Sequence, residues 1–102
     1  MTYKINKMPD QISAALFSKC TTVETATVGH RRHMGFMDKA IQCVLTPRRV
    51  AGTAITLALP GQDSTLLHHI IAQLRPGDFL CIDRLGDFKH ACLGGGVAAA
   101  IK

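Results

Sequence analysis

A chain of 102 residues, 47% hydrophobic and 19% charged, can build one modest core and is too apolar to be disordered. No apolar run reaches the roughly 18 residues of a membrane span, and MTYKINKMPDQ lacks the apolar stretch of a secretory signal, so a soluble cytoplasmic protein is expected. The formal charge of +5 is scattered, with Arg31-Arg32 and Arg48-Arg49 as the arginine pairs and no interleaved aromatics, which argues against a nucleic-acid surface.

In chain order, residues 1–8 read as a lead-in. Asp10 is the expected N-cap of a short helix carrying Ile12, Ala15, Leu16 and Lys19 at helical spacing. Thr21-Thr22 restarts the chain, and Val23, Ala26 and Val28 suggest a second short helix ending near Gly29. The irregular HRRHMGFMDKAIQC reads as a surface loop. The β-branched residues of RRVAGTAITLALPG predict a strand at about 49–58, closed by the turn residues Pro60-Gly61. In DSTLLHHIIAQLRPGD, Asp63 or Ser64 caps a helix whose apolar stripe is Leu66, Leu67, Ile70, Ile71 and Leu74, and Arg75-Pro76-Gly77 stops it. DFLCID follows as a nearly continuous apolar strand of the kind buried on both faces. Asp83 to Lys89 is loop, and Gly94-Gly95-Gly96 leads into a last helix beginning near Val97. Strand, helix, strand, Gly-rich loop and helix make an α/β fold, with 1–20 as lead-in and short helix and 21–102 as the domain proper.

Most side chains with chemical potential have ordinary structural readings. Cys20, Cys43, Cys81 and Cys92 form no C-x-x-C pair and are expected as reduced, mostly buried thiols. His68 and His69 point about 100° apart on a helix, unlike the i, i+4 pairs that share a metal, and are expected in solvent. His30 and His33 with Arg31-Arg32 read as a basic loop. Ser13, Ser18 and Ser64 lack a nucleophile-elbow setting, and Cys92 near His90 reads as a packed thiol. The glycine run differs. It allows close backbone approach, and the helix behind it offers unpaired N–H groups and a positive dipole end, suited to a carboxylate or phosphate. Neither G-K-[ST] nor G-x-G-x-x-G is present, so a nucleotide loop is not indicated; a tight helix–strand contact needing small residues is the other reading.

The landmarks RVAGTAITL, PGQDSTLLHHII, RPGDFLCID and GDFKHACLGG, in that order, resemble the RraA-like family, and TTVETATVGHRRHMGF resembles its upstream helical segment. That family contains 4-hydroxy-4-methyl-2-oxoglutarate aldolases and regulators of ribonuclease E activity; members were once mislabelled demethylmenaquinone methyltransferases. The resemblance implies a layered β/β/α swivelling-type domain assembled into homo-oligomers, trimers or higher rings. It implies a small 2-oxo acid substrate whose pyruvate carboxylate is held by backbone N–H groups, a role that falls on Gly94, Gly95, Gly96 and Val97. It also implies a divalent metal, Mg²⁺ or Mn²⁺. Aldolase members place an acidic residue where this chain has Gly95, and an Arg-Asp pair about twenty residues further on, the Asp positioning the metal and the Arg the enolate. The pair would lie past Lys102, so the expectation is a C-terminally truncated domain, a lyase of the 4-hydroxy-4-methyl-2-oxoglutarate aldolase or oxaloacetate decarboxylase type with impaired activity. The alternative is a non-catalytic regulator that binds a protein partner. Asp83, Asp87 and His90 lie near the loop; a metal contact or a proton from either carboxylate, or His90 facing the site, is the functional reading, and turn caps and an exposed loop histidine are what is expected.

Overall fold

The computed structural model describes residues 3–45, 49–61, 63–87, 89, 99 and 101. Its elements are α1 (Ala14–Cys20), α2 (Thr25–Gly29), β1 (Thr53–Ala58), α3 (Thr65–Ile71) and β2 (Asp78–Asp83). They fall into two compact units, one of Ile12–Ala51 and one of Met1–Gln11 with Gly52–Lys102. No helix among the described residues is long and apolar enough to cross a membrane.

The Ile12–Ala51 unit is built from local hydrogen bonds. The N-cap of α1 is Ser13, not Asp10: its backbone is extended and its hydroxyl accepts the Leu16 N–H at 3.1 Å. The helix ends at a pair of threonines whose hydroxyls donate to backbone carbonyls of its last turn, Thr21 Oγ1 to Ser18 at 2.7 Å and Thr22 Oγ1 to Lys19 at 2.9 Å. Glu24 precedes α2 and pairs with Arg49, whose guanidinium also donates to the Thr21 carbonyl. Residues 30–45 carry no helix or strand, as expected, and Asp38 Oδ1 turns them by accepting the Ala40 N–H at 2.8 Å.

The second unit holds the sheet. β1 and β2 run parallel in a two-stranded sheet, in register from Thr53 opposite Asp78 to Ala58 opposite Asp83, with α3 in the connection. The α/β reading therefore holds, as a mixed unit of helices and a small parallel sheet. β1 begins at Thr53, four residues later than Arg49. The ladder opens where Thr53 N–H donates to the Gly77 carbonyl at 2.9 Å, and earlier residues have no strand opposite them. Burial alternates along β1, with Thr53, Ile55 and Leu59 inside and Ala54, Thr56 and Ala58 exposed. β2 has one neighbouring strand and is half-buried up to its exposed last residue, rather than covered on both faces.

α3 presents the expected stripe, with Leu67 fully buried, Leu66, Ile70, Ile71 and Leu74 half-buried, and the intervening positions exposed. Its side-chain cap is Asp63, which accepts from Thr65 N at 3.0 Å and Thr65 Oγ1 at 2.6 Å, while the Ser64 side chain makes no cap bond.

Gly52 marks the closest backbone approach. A Cβ there would lie 2.7 Å from the Gly77 carbonyl oxygen and 3.2 Å from Phe79 Cβ. Because the nearer obstacle is backbone, relief requires the start of the sheet to shift. Gly52→Ala is expected to destabilise by about 1–2 kcal/mol, read as a lower urea midpoint at unchanged slope. A midpoint equal to wild type would show that the two turns can separate without loss.

Candidate functional site at the carboxyl edge of the sheet

Both strands end at the same edge, Ala58 beside Asp83. From there the chain leaves β1 through Leu59-Pro60-Gly61 and β2 through Arg84-Leu85-Gly86-Asp87. The second exit is a tight turn closed by Asp87 N–H to the Arg84 carbonyl at 3.2 Å, with positive φ at Leu85 (55°) and Gly86 (89°). Two consecutive left-handed residues define the mirror-image turn that normally takes Asn or Gly first. Leu85 is instead an exposed, branched residue in that position, and Leu85 is the one non-glycine with positive φ among the described residues. Its amide is held by Asp83, whose Oδ1 accepts it at 2.8 Å.

Arg84 ties the two exits together. Its Nη2 donates to the Gly61 carbonyl at 2.9 Å and to Asp87 Oδ2 at 3.2 Å, and both side chains are largely buried, 18% and 13% exposed. Asp87 Oδ1 in turn accepts the Lys89 N–H at 2.9 Å. The two carboxylates nearest the glycine run are thus turn caps, as the sequence suggested. Arg84 was not singled out from the sequence, although Arg and Asp at i, i+3 gave a signal for a local pair.

Gly94, Gly95, Gly96 and Val97 lie outside the described residues, as do His90 and Cys92. Ala99 and Ile101 are helical, and the expected start of the last helix near Val97 lies outside the described residues. The remaining candidates disperse. His68 and His69 are exposed on α3, and His69 Nε2 lies 2.8 Å from Gln73 Nε2. His30, Arg31, Arg32 and His33 are all exposed. Among the described cysteines, Cys43 is exposed and Cys20 and Cys81 are half-buried, so the buried-thiol expectation fails. The Cys43 thiol bonds to the nearby Leu45 carbonyl at 3.2 Å rather than packing in a core.

No group of three His, Cys, Asp or Glu among the described residues could hold a metal ion. Asp83 and Asp87 are committed to amides and a guanidinium, so neither stands ready as a ligand for the metal that the aldolase resemblance implies. What the edge offers is two loops locked by one arginine, the second ending seven residues before Gly94 in the sequence.

A family model described as RraA-like (Aldolase/RraA) matches residues 12–102. No curated protein and no solved structure matches the chain at a significant level.

Proposed function

We propose, from the premise that this chain belongs to the RraA-like (Aldolase/RraA) family, that it binds small 2-oxo acids as a lyase-type domain, with the backbone of Gly94, Gly95, Gly96 and Val97 cradling the pyruvate carboxylate. The observation that carries this reading is the coincidence of both strand ends at one edge, with the glycine run entering just after β2. Ligands of open parallel sheets bind outside the carboxyl ends of the strands.

The chemistry proposed is cleavage of 4-hydroxy-4-methyl-2-oxoglutarate. A base removes the C4 hydroxyl proton, the C3–C4 bond breaks, and its electron pair leaves as a pyruvate enolate that is then protonated, giving two pyruvates. Decarboxylation of oxaloacetate passes through the same enolate. Backbone N–H groups hold the carboxylate but do little for the enolate, whose charge in the metal-dependent members is met by a cation and an arginine. Among the described residues this edge supplies no group of three metal-binding side chains, and no step is routed through a metal. The reading includes a homo-oligomer, a trimer as in the aldolase members.

The test is calorimetric titration with oxalate, a planar mimic of the enolate, beside a pyruvate-release assay with Mg²⁺. Oxalate is expected to bind, with affinity falling at least about tenfold in Gly95→Val and Gly96→Val as side chains crowd the cradle. Turnover of the 102-residue chain is expected to be slight. Absence of oxalate binding would overturn the lyase reading, and rapid pyruvate release would overturn the expectation of slight turnover.

A second reading, a non-catalytic regulator of the ribonuclease E type, is favoured by one observation. The loop of residues 30–45 exposes Met34 (83%), Phe36, Met37, Ile41, Val44 (92%) and Leu45, an unusual density of open apolar side chains. Recovery of a defined partner on immobilised protein, lost in Met34→Glu/Val44→Glu, would support it.

A further inference from the structure

The amino-terminal segment is fastened to the sheet unit by hydrogen bonds near both its ends. Tyr3 donates its hydroxyl to Asp63 Oδ2 at 2.6 Å. Six residues later the Pro9 carbonyl accepts from Arg75 Nη2 at 2.9 Å, and Gln11 Nε2 donates to the Pro76 carbonyl at 2.8 Å and to Asp78 Oδ1 at 3.1 Å. The upper fastening persists across ordinary pH. Hydrogen bonds from the Thr65 hydroxyl, then Tyr3 and the Thr65 amide, hold the Asp63 pKa down at about 2.

Beneath this strap lies a cleft of ≈ 700 Å³, lined by residues 3–9, by five consecutive β1 residues, Ala54 to Ala58, by Pro60, and by Leu66, His69 and Ile70 of α3. A pocket over one face of a strand meets alternate residues, because side chains alternate in direction. Contact with every residue in turn means that the cleft runs along the edge of β1.

That edge carries backbone groups with no strand partner among the described residues. Among the described residues β1 pairs with β2 on one side only. Thr53 and Leu59 donate toward β2, to Gly77 and Asp83. By strand alternation the N–H and C=O groups of Ala54, Thr56 and Ala58 therefore point into the cleft. Among the described residues no strand pairs with them, and the strap is not a strand itself. An open row of amides and carbonyls is a template for an added strand.

The lining also selects by charge. Lys4, Lys7 and His69 face the cleft, and no carboxylate lines it among the described residues. A second copy of this chain is disfavoured, since it would bring the same basic strap and a net charge of +5 toward the lysines. A single-stranded nucleic acid would want stacking platforms, and Tyr3 is the one aromatic in the lining.

We propose that the cleft between the strap and the free edge of β1 is a binding slot for an extended acidic peptide segment of another protein. The segment adds as a strand to β1, with alternate carboxylates meeting Lys4 and Lys7. This slot is independent of the carboxylate cradle proposed above and uses none of its residues.

The experiment is fluorescence anisotropy with a labelled hexapeptide of alternating glutamate and valine, and with its lysine–valine counterpart. The acidic peptide is expected to bind at least about tenfold more tightly than the basic one, with affinity falling as salt rises. Lys4→Glu/Lys7→Glu is expected to weaken it about tenfold or more. Backbone pairing is read without altering the protein, by N-methylating either alternate set of peptide amides. Methylation of the set facing β1 is expected to abolish binding, and the other set to be better tolerated.

Equal binding of both peptides, indifference to which amides are methylated, or no binding up to millimolar peptide would each overturn the proposal. So would a Lys4/Lys7-insensitive self-association that excludes the peptide, because the edge would then belong to a second copy.

Discussion

Leu67→Ala is expected to lower the unfolding free energy by about 2–4 kcal/mol, the largest loss from any single truncation considered. Leu67 and Leu59 are the fully buried large side chains among the described residues, with Ile55 at 3% beside them in the same unit. Removing three carbons from such a site forfeits transfer energy and leaves a cavity that a twisted pair of strands and a seven-residue helix cannot readily collapse around. The loss is large against the total stability of so small a unit, which by size amounts to only several kcal/mol. Urea denaturation should show the midpoint falling without a change in slope, and Leu67→Met, which conserves volume, should recover most of it. Ile5→Ala, at a side chain 55% exposed in the strap, should stay within about 0.5 kcal/mol. Equal losses at Leu67 and Ile5 would mean that the burial of α3 is not what holds the unit together.

That prediction rests on features that could be read directly from the sequence. The stripe of Leu66, Leu67, Ile70, Ile71 and Leu74 has a period no strand can use, and DFLCID is bounded by Gly77 and a polar loop, so α3 and β2 stand where local pattern puts them. The start of β1 was less legible because Val50 is as β-prone as Ile55; only the position of the Gly77 turn on the partner strand decides where pairing begins. The N-cap of α1 failed for a similar reason. Asp10 and Ser13 are equally good caps by type. Gln11, however, is bonded to Pro76 and Asp78 more than sixty residues away, so the chain stays extended until Ser13.

At the candidate site the same division holds. Asp83 and Asp87 as turn caps followed from local chemistry, as did the exposure of His68 and His69. The bond from Arg84 to the Gly61 carbonyl did not, because it joins two loops 23 residues apart. Nor did the slot, which arises because a lead-in without any strand signal is fastened beside an edge that no described strand pairs. Family resemblance pointed to the glycine run and was silent about the strap, since those first residues precede the matched span of 12–102.

Asp78 is the residue whose loss should release that strap. Its carboxylate is almost inaccessible, with 1% of the side chain exposed, and it accepts four hydrogen bonds. Arg75 donates from its amide at 2.8 Å, from Nε at 3.1 Å and from Nη2 at 3.2 Å, and Gln11 adds the fourth at 3.1 Å. The Arg75 side-chain bonds are the main cause of a pKa held below the ordinary carboxylate value, helped by the Arg75 amide, Gln11 and the guanidinium charge, with burial working in opposition. Asp78→Asn preserves shape but turns an NH₂ toward donors. The expected loss is about 2–3 kcal/mol at pH 7, toward the low end because Arg75 remains 35% exposed and screened by water. Its pH dependence follows from the sign of the shift. A carboxylate whose folded pKa lies below its unfolded value near about 4 contributes fully above that value, and the contribution drains away as pH falls through the folded one. The gap in urea midpoint between wild type and Asp78→Asn should therefore be widest at neutral pH and close progressively below about pH 4. A gap unchanged by acid would mean that the residue acts through shape alone. Because Gln11 and Arg75 hold the lower end of the strap through this carboxylate, amides of residues 4–8 should exchange faster in the variant. Binding of the acidic peptide should weaken with them, since one wall of the slot would no longer be fixed against β1.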